Sequence, residues 1–140
     1  EDAPHWPDVR PGNWGATNAM SPNYIGNRVE RMLVAEPKVP ILWIYGADDL
    51  AVSNTAASDP GTWGPTGGLP GYPGIEAYPP QPMMGQIRKM LDDYAASGGT
   101  YAEVAIGDCG HVPFITHPDE FNRAFHAHLD RTTPQEGDNA

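Results

Sequence analysis

Two short β-rich runs, each stopped by a glycine–aspartate turn, constrain what this chain can fold into. Lys38-Val-Pro-Ile-Leu-Trp-Ile-Tyr45 is apolar after its lysine and runs straight into Gly46-Ala47-Asp48-Asp49. Tyr101-Ala-Glu-Val-Ala-Ile106 runs into Gly107-Asp108-Cys109-Gly110-His111. Runs of β-branched and aromatic residues bounded by such turns read as strands. The first, apolar at consecutive positions, reads as a strand buried on both faces. Between them Ile87, Met90, Leu91 and Tyr94 recur at i, i+3, i+4 and i+7, the face of a helix that starts at Pro82 and stops at Gly98-Gly99. Strand, helix, strand implies a right-handed crossover and a parallel pair. A carboxylate and an imidazole then leave the same edge of one sheet, on turns rather than on the strands themselves. Pro113 is expected to prevent an immediate helix after His111.

The flanking segments are read from their breakers. Residues 1–20 hold Pro4, Pro7, Pro11, Gly12, Gly15, Trp6 and Trp14, so no periodic element survives there. They form an irregular lead-in, expected to pack through its indoles and to be the end of a cap region. Ser21-Pro22 reads as a helix start, with Ile25, Val29, Met32 and Leu33 as its apolar stripe and Glu36-Pro37 as its stop. Residues 50–82 alternate glycine with proline but carry Trp63, Leu69, Tyr72, Ile75 and Tyr78. A connection this long inside a compact domain is usually functional or disordered. The aromatics point to an ordered excursion held by packing on the body or on another subunit. Pro118-Asp119-Glu120 starts a last helix whose buried face is Phe121, Ala124, Phe125 and Leu129. Residues 131–140 have nothing to bury and are expected to fray. The organised part is therefore 21–130, an α/β arrangement that looks like the C-terminal half of a doubly wound parallel-sheet domain. Two strands do not bury both faces of a sheet, so the fold is expected to be incomplete on its own.

Composition excludes several classes. With 140 residues and a formal net charge of −10, the chain is about one domain and strongly acidic. Binding to nucleic acid or to an anionic membrane surface is disfavoured. The apolar run at 39–45 is far too short to span a bilayer. A single cysteine forms no intrachain disulfide. His126 and His128 are two apart on a helix and face different ways, so no metal site is expected, and no cofactor. The chain opens on Glu1-Asp2-Ala3-Pro4 without an initiator Met or a signal segment. The expectation is a cytoplasmic protein, and a processed piece or the middle of a longer gene product.

The two turns also resemble a family. Lys38-Val-Pro-Ile-Leu-Trp-Ile-Tyr-Gly-Ala-Asp-Asp looks like the penultimate strand of α/β-hydrolases, where a glycine precedes the catalytic acid by three residues. That spacing selects Asp49. Gly110-His111, followed by Pro118-Asp119-Glu120-Phe121-Asn122, looks like the family's histidine loop and final helix. Pro79-Pro-Gln-Pro-Met resembles bacterial members with an enlarged loop after the acid. The likeness covers residues 38–130 well and 1–37 loosely.

The resemblance implies that Asp49 and His111 are catalytic. Val112 beside the histidine, and Trp63 and Tyr72 of the loop that leaves the sheet just after Asp49, are expected to line the substrate. The alternative for the loop is an oligomer contact away from the pocket. The resemblance also implies an esterase-like hydrolase acting on a small apolar ester, with C–C bond or epoxide hydrolysis as variants. The family's order is nucleophile, acid, histidine. No Gly-x-Ser-x-Gly occurs, and Ser21, Ser53, Ser58 and Ser97 lack the flanking glycines. The nucleophile, Ser, Cys or Asp, is expected to come from an N-terminal part of the same hydrolase, without which the chain is inactive. Self-association into a homo-oligomer is a further expected partnership. The competing reading is a non-catalytic binding or scaffolding subunit that kept the pair by descent. Asp48 is expected to form the turn by holding backbone amides with its side chain, and Cys109 to be a buried structural thiol.

Overall fold

The computed structural model describes residues 28–56 and 59–132. The chain divides into two compact units, Glu1–Glu36 and Pro37–Ala140. The first contributes helix α1, Arg28–Val34. It ends before Glu36-Pro37, because a residue preceding proline is pushed out of the helical region. The expectations for residues 1–20, for the Ser21 cap and Ile25, and for residues 133–140 lie outside the described residues.

The second unit is mixed helix and strand around a small parallel sheet. Strand β1, Ile41–Gly46, pairs in parallel with β2, Tyr101–Ile106, with Ile41 opposite Tyr101 and Gly46 opposite Ile106. Between them run α2, Pro60–Trp63, one 3₁₀ turn at Gly64–Thr66, and the long helix α3, Met83–Ala96. After β2 come α4, Pro113–Thr116, and α5, Pro118–Thr132.

Alternation along the strands assigns each face of the sheet to one helix. Tyr45 and Glu103 meet Arg88 of α3, whose guanidinium donates to the Glu103 carboxylate at 2.7 Å and 3.1 Å and to the Tyr45 hydroxyl at 3.0 Å. Arg88 also lies 5.6 Å from the Trp43 ring, which stacks on Tyr45 at 4.5 Å. The Tyr101 hydroxyl donates to Asp92 of the same helix at 2.6 Å. The apolar stripe of α3 behaves as its spacing predicts, with Leu91 and Tyr94 buried. Gly98, at φ +97°, takes the left-handed conformation that ends the helix.

The opposite face differs from expectation. Leu42 and Ile44 turn toward α5 but enclose with it an open groove of about 450 Å³, lined also by Phe121, Phe125, His128 and Leu129. Residues 41–45 of β1 are only half-buried, not buried on both faces, and α5 has no buried residue. The reason is geometric. Two strands about 5 Å apart make a strip narrower than the roughly 10 Å width of a helix, so the helix overhangs it.

The connection from β1 to α3 is held within the chain by side-chain hydrogen bonds at its base and across its loop. Of its large apolar side chains Trp63 and Ile75 are exposed, while Leu69, Tyr72 and Tyr78 are half-buried. Asp59, 3 % exposed, ties the start of α2 to Gln81 just before α3. Oδ1 caps α2 by accepting from the Gly61 amide at 3.0 Å. Oδ2 accepts from the Gln81 amide at 2.7 Å and the Thr62 hydroxyl at 3.2 Å. Within the excursion Tyr72 lies against Gly64 and donates to the Tyr78 carbonyl at 2.6 Å. Pro60, Pro65, Pro70, Pro73, Pro79, Pro80 and Pro82 each remove an amide donor from this segment, which makes a buried acceptor at its base effective.

Candidate active site

The turn after β1 is short and closed by backbone bonds. Asp49 N–H donates to Gly46 O at 3.2 Å, and Ala47 N–H to Ile106 O at 2.8 Å. Asp48 N–H donates across to Cys109 O at 2.9 Å, joining this turn to the one after β2. The second turn passes through Asp108 at φ +50°, a left-handed position that aspartate tolerates better than most residues. Cys109 then points inward, 1 % exposed, with Sγ 3.4 Å from Thr116 Oγ1. That is the buried thiol the sequence predicts, and it leaves His111 facing out.

Asp49 and His111 meet where the two turns converge. His111 Nδ1 lies 2.9 Å from Asp49 Oδ2. The carboxylate is 8 % exposed and the imidazole 59 %. Asp49 Oδ1 accepts from the amides of Ala51 at 2.7 Å and Val52 at 3.1 Å. Burial pushes the Asp49 carboxyl up, but the hydrogen bonds from His111, Val52 and Ala51 outweigh it and hold the group below its ordinary range. Asp49 is therefore ionised near neutral pH and can only accept. Nδ1 must carry the proton, so in the neutral ring Nε2 holds the lone pair and can take a proton from a hydroxyl or a water.

Two expectations about these turns need correction. The amides of the first turn are held by the Asp49 side chain; Asp48 enters through its backbone N–H. An Asp accepting from the amides two and three residues on is an ordinary turn device, so the residue chosen for the imidazole does both jobs. Pro113 does not prevent a helix after His111 but opens α4 at its first position. Proline lacks only a donor that the first helical turn would leave unused. Val112, half-buried beside His111, supports α4 by accepting from Ile115 N–H at 2.9 Å and Thr116 N–H at 3.1 Å.

Trp63 and Tyr72 engage their own loop, and among the described residues no hydrogen bond or ring contact joins them to the pair. Sequence reasoning missed Leu50, Phe114 and Ile115, all exposed and each within four residues of Asp49 or His111. Their adjacency was the available signal. No described serine reaches His111: Ser53 Oγ accepts from Thr55 N–H, and Ser97 Oγ donates to Tyr94 O. Ser21 and Ser58 lie outside the described residues.

Among the described residues no group of three or more His, Cys, Asp or Glu side chains is placed to hold a metal ion. No described helix is long and apolar enough to cross a membrane. Compared with protein-family models, curated proteins and solved structures, the chain matches none.

Proposed function

We propose that this chain supplies the acid and histidine of an α/β-hydrolase that cleaves a small apolar ester or a related substrate. The observation that carries the reading is the 2.9 Å bond between a buried, ionised Asp49 and an exposed His111 on the adjacent ends of two parallel strands. In open parallel sheets ligands bind outside these carboxyl ends. A buried carboxylate on Nδ1 fixes the tautomer and stabilises the imidazolium as it forms, while Nε2 faces the incoming group. General base catalysis by such an imidazole contributes roughly 10²–10⁴-fold. Leu50, Phe114 and Ile115, exposed and within four residues of the pair in sequence, favour an apolar substrate. The nucleophile, Ser, Cys or Asp, comes from a part of the hydrolase outside these residues. The half-covered groove between β1 and α5 is consistent with a chain that packs against such a part.

The test uses the complete gene product containing this chain, assayed against aryl esters of graded acyl length. Turnover that disappears with Asp49→Asn and with His111→Ala supports the reading. Turnover that survives both substitutions would refute it, and would leave the groove as the mark of a non-catalytic binding or scaffolding subunit.

A further inference from the structure

The convergence of the two turns depends on one bare α-carbon. Gly46 is buried at the end of β1, directly opposite Ile106. A Cβ placed on it would overlap the carbonyl oxygens of Gly110 and Cys109 and stand 2.6 Å from the Cys109 carbonyl carbon. These are backbone atoms, which cannot swing aside as a flexible side chain would. Cys109 O is the acceptor of the Asp48 amide, and Gly110 is covalently joined to His111. The carbonyls of the histidine turn therefore lie on the very residue from which the aspartate turn departs.

We propose that Gly46 is a positioning residue for the acid–histidine pair: its missing side chain lets the Cys109 and Gly110 carbonyls lie on the end of β1 and so sets the reach of His111 to Asp49. Any side chain at position 46 lifts the histidine turn and lengthens the Nδ1 to Oδ2 distance while the strands remain paired. The consequence for turnover rests on the hydrolase reading; the consequence for the hydrogen bond does not. The other two glycines of the histidine turn differ from Gly46, since a Cβ on Gly107 or Gly110 meets nothing within 4 Å.

Proton NMR of the complete gene product containing this chain provides the test. The His111 Nδ1–H, shared with a carboxylate, gives a far-downfield signal assigned by its loss in His111→Ala. Gly46→Ala is expected to abolish it while the amide signals of β1 and β2 persist, and Gly110→Ala to retain it. In the complete enzyme Gly46→Ala is expected to lower kcat about 10²-fold, the usual cost of an ångström-scale misplacement, with KM little changed. Retention of the downfield signal in Gly46→Ala, or equal loss in Gly110→Ala, overturns the proposal. Should Gly46→Ala fail to fold, hydrogen exchange on the unsubstituted chain decides. The Asp48 amide and the downfield proton are expected to lose protection at the same temperature, and a downfield proton outlasting the Asp48 amide overturns the proposal. If the hydrolase reading alone is wrong, there is no ester turnover to lose, yet the NMR outcome stands.

Discussion

Asp49 and His111 are 62 residues apart in the chain and 2.9 Å apart in space, with the carboxylate buried and the ring exposed. The asymmetry matters more than the distance. The buried carboxylate is held by His111 and by the Ala51 and Val52 amides, whereas the exposed ring is open to whatever arrives. Asp49→Asn presents an amide that can donate to Nδ1 and so favours the other tautomer, with Nε2 protonated. On the proposed hydrolase reading, kcat of the complete gene product is expected to fall about 10⁴-fold, the scale of losing the correct tautomer in a triad. Asp48→Asn, which leaves its backbone bond to Cys109 intact, is expected to change kcat only a few-fold. Steady-state kinetics of the two variants side by side checks this; a severe loss in Asp48→Asn would contradict the geometry.

Acid stability follows from the same carboxylate. Folding lowers the Asp49 pKa, so the unfolded chain binds the proton more readily. The stability this group contributes is fully present above its unfolded value of about 3.9 and is lost as pH falls through the lower folded value. Asp49→Asn is therefore expected to flatten part of the decline in urea midpoint below about pH 4. An acid limb unchanged by the substitution would contradict the assignment.

The base of the long connection offers a separate test. Asp59 accepts from two amides and a hydroxyl while 3 % exposed. Removing a charged acceptor from buried donors costs about 3 kcal/mol. Asp59→Ala is expected to raise hydrogen exchange across residues 59–81, the Gly61 and Gln81 amides first, while β2 stays protected. Exchange measured peptide by peptide gives the answer, and uniform loosening of the whole chain would mean that the tie is not local.

Tyr94 makes a smaller tie. Its hydroxyl donates to Val39 O at 2.7 Å and accepts from Val39 N–H at 2.9 Å, clamping the residue that leads into β1. Its ring also lies 5.3 Å from Lys38 Nζ. Tyr94→Phe keeps the ring and removes both bonds, an expected cost of about 1–2 kcal/mol. Chemical denaturation with an unchanged m-value checks it.

The two strands, the helix between them and the last helix were legible because each rests on local chemistry, whereas the short helices at Pro60–Trp63 and Pro113–Thr116 were not foreseen. The 3.6-residue spacing of Ile87, Leu91 and Tyr94 is a property of consecutive residues, and so is the stop at Gly98. Tyr101–Ile106 is bounded by its own glycines, and the glycine-to-acid spacing by which Asp49 resembles a hydrolase acid lies within one turn. Parallel pairing follows from a helix between two strands, and with it the placing of Asp49 and His111 at one edge. What tertiary structure decided depends on distance across the chain. Asp59 looks like any turn aspartate until Gln81, 22 residues on, comes back to it. Gly46 reads as a strand end until the Cys109 and Gly110 carbonyls lie on it. The stripe of Phe121, Phe125 and Leu129 has the spacing of a buried face, yet burial depends on how much surface lies opposite. Periodicity states which side of a helix is apolar. The width of the sheet states how much of that side is covered, and here two strands leave a groove.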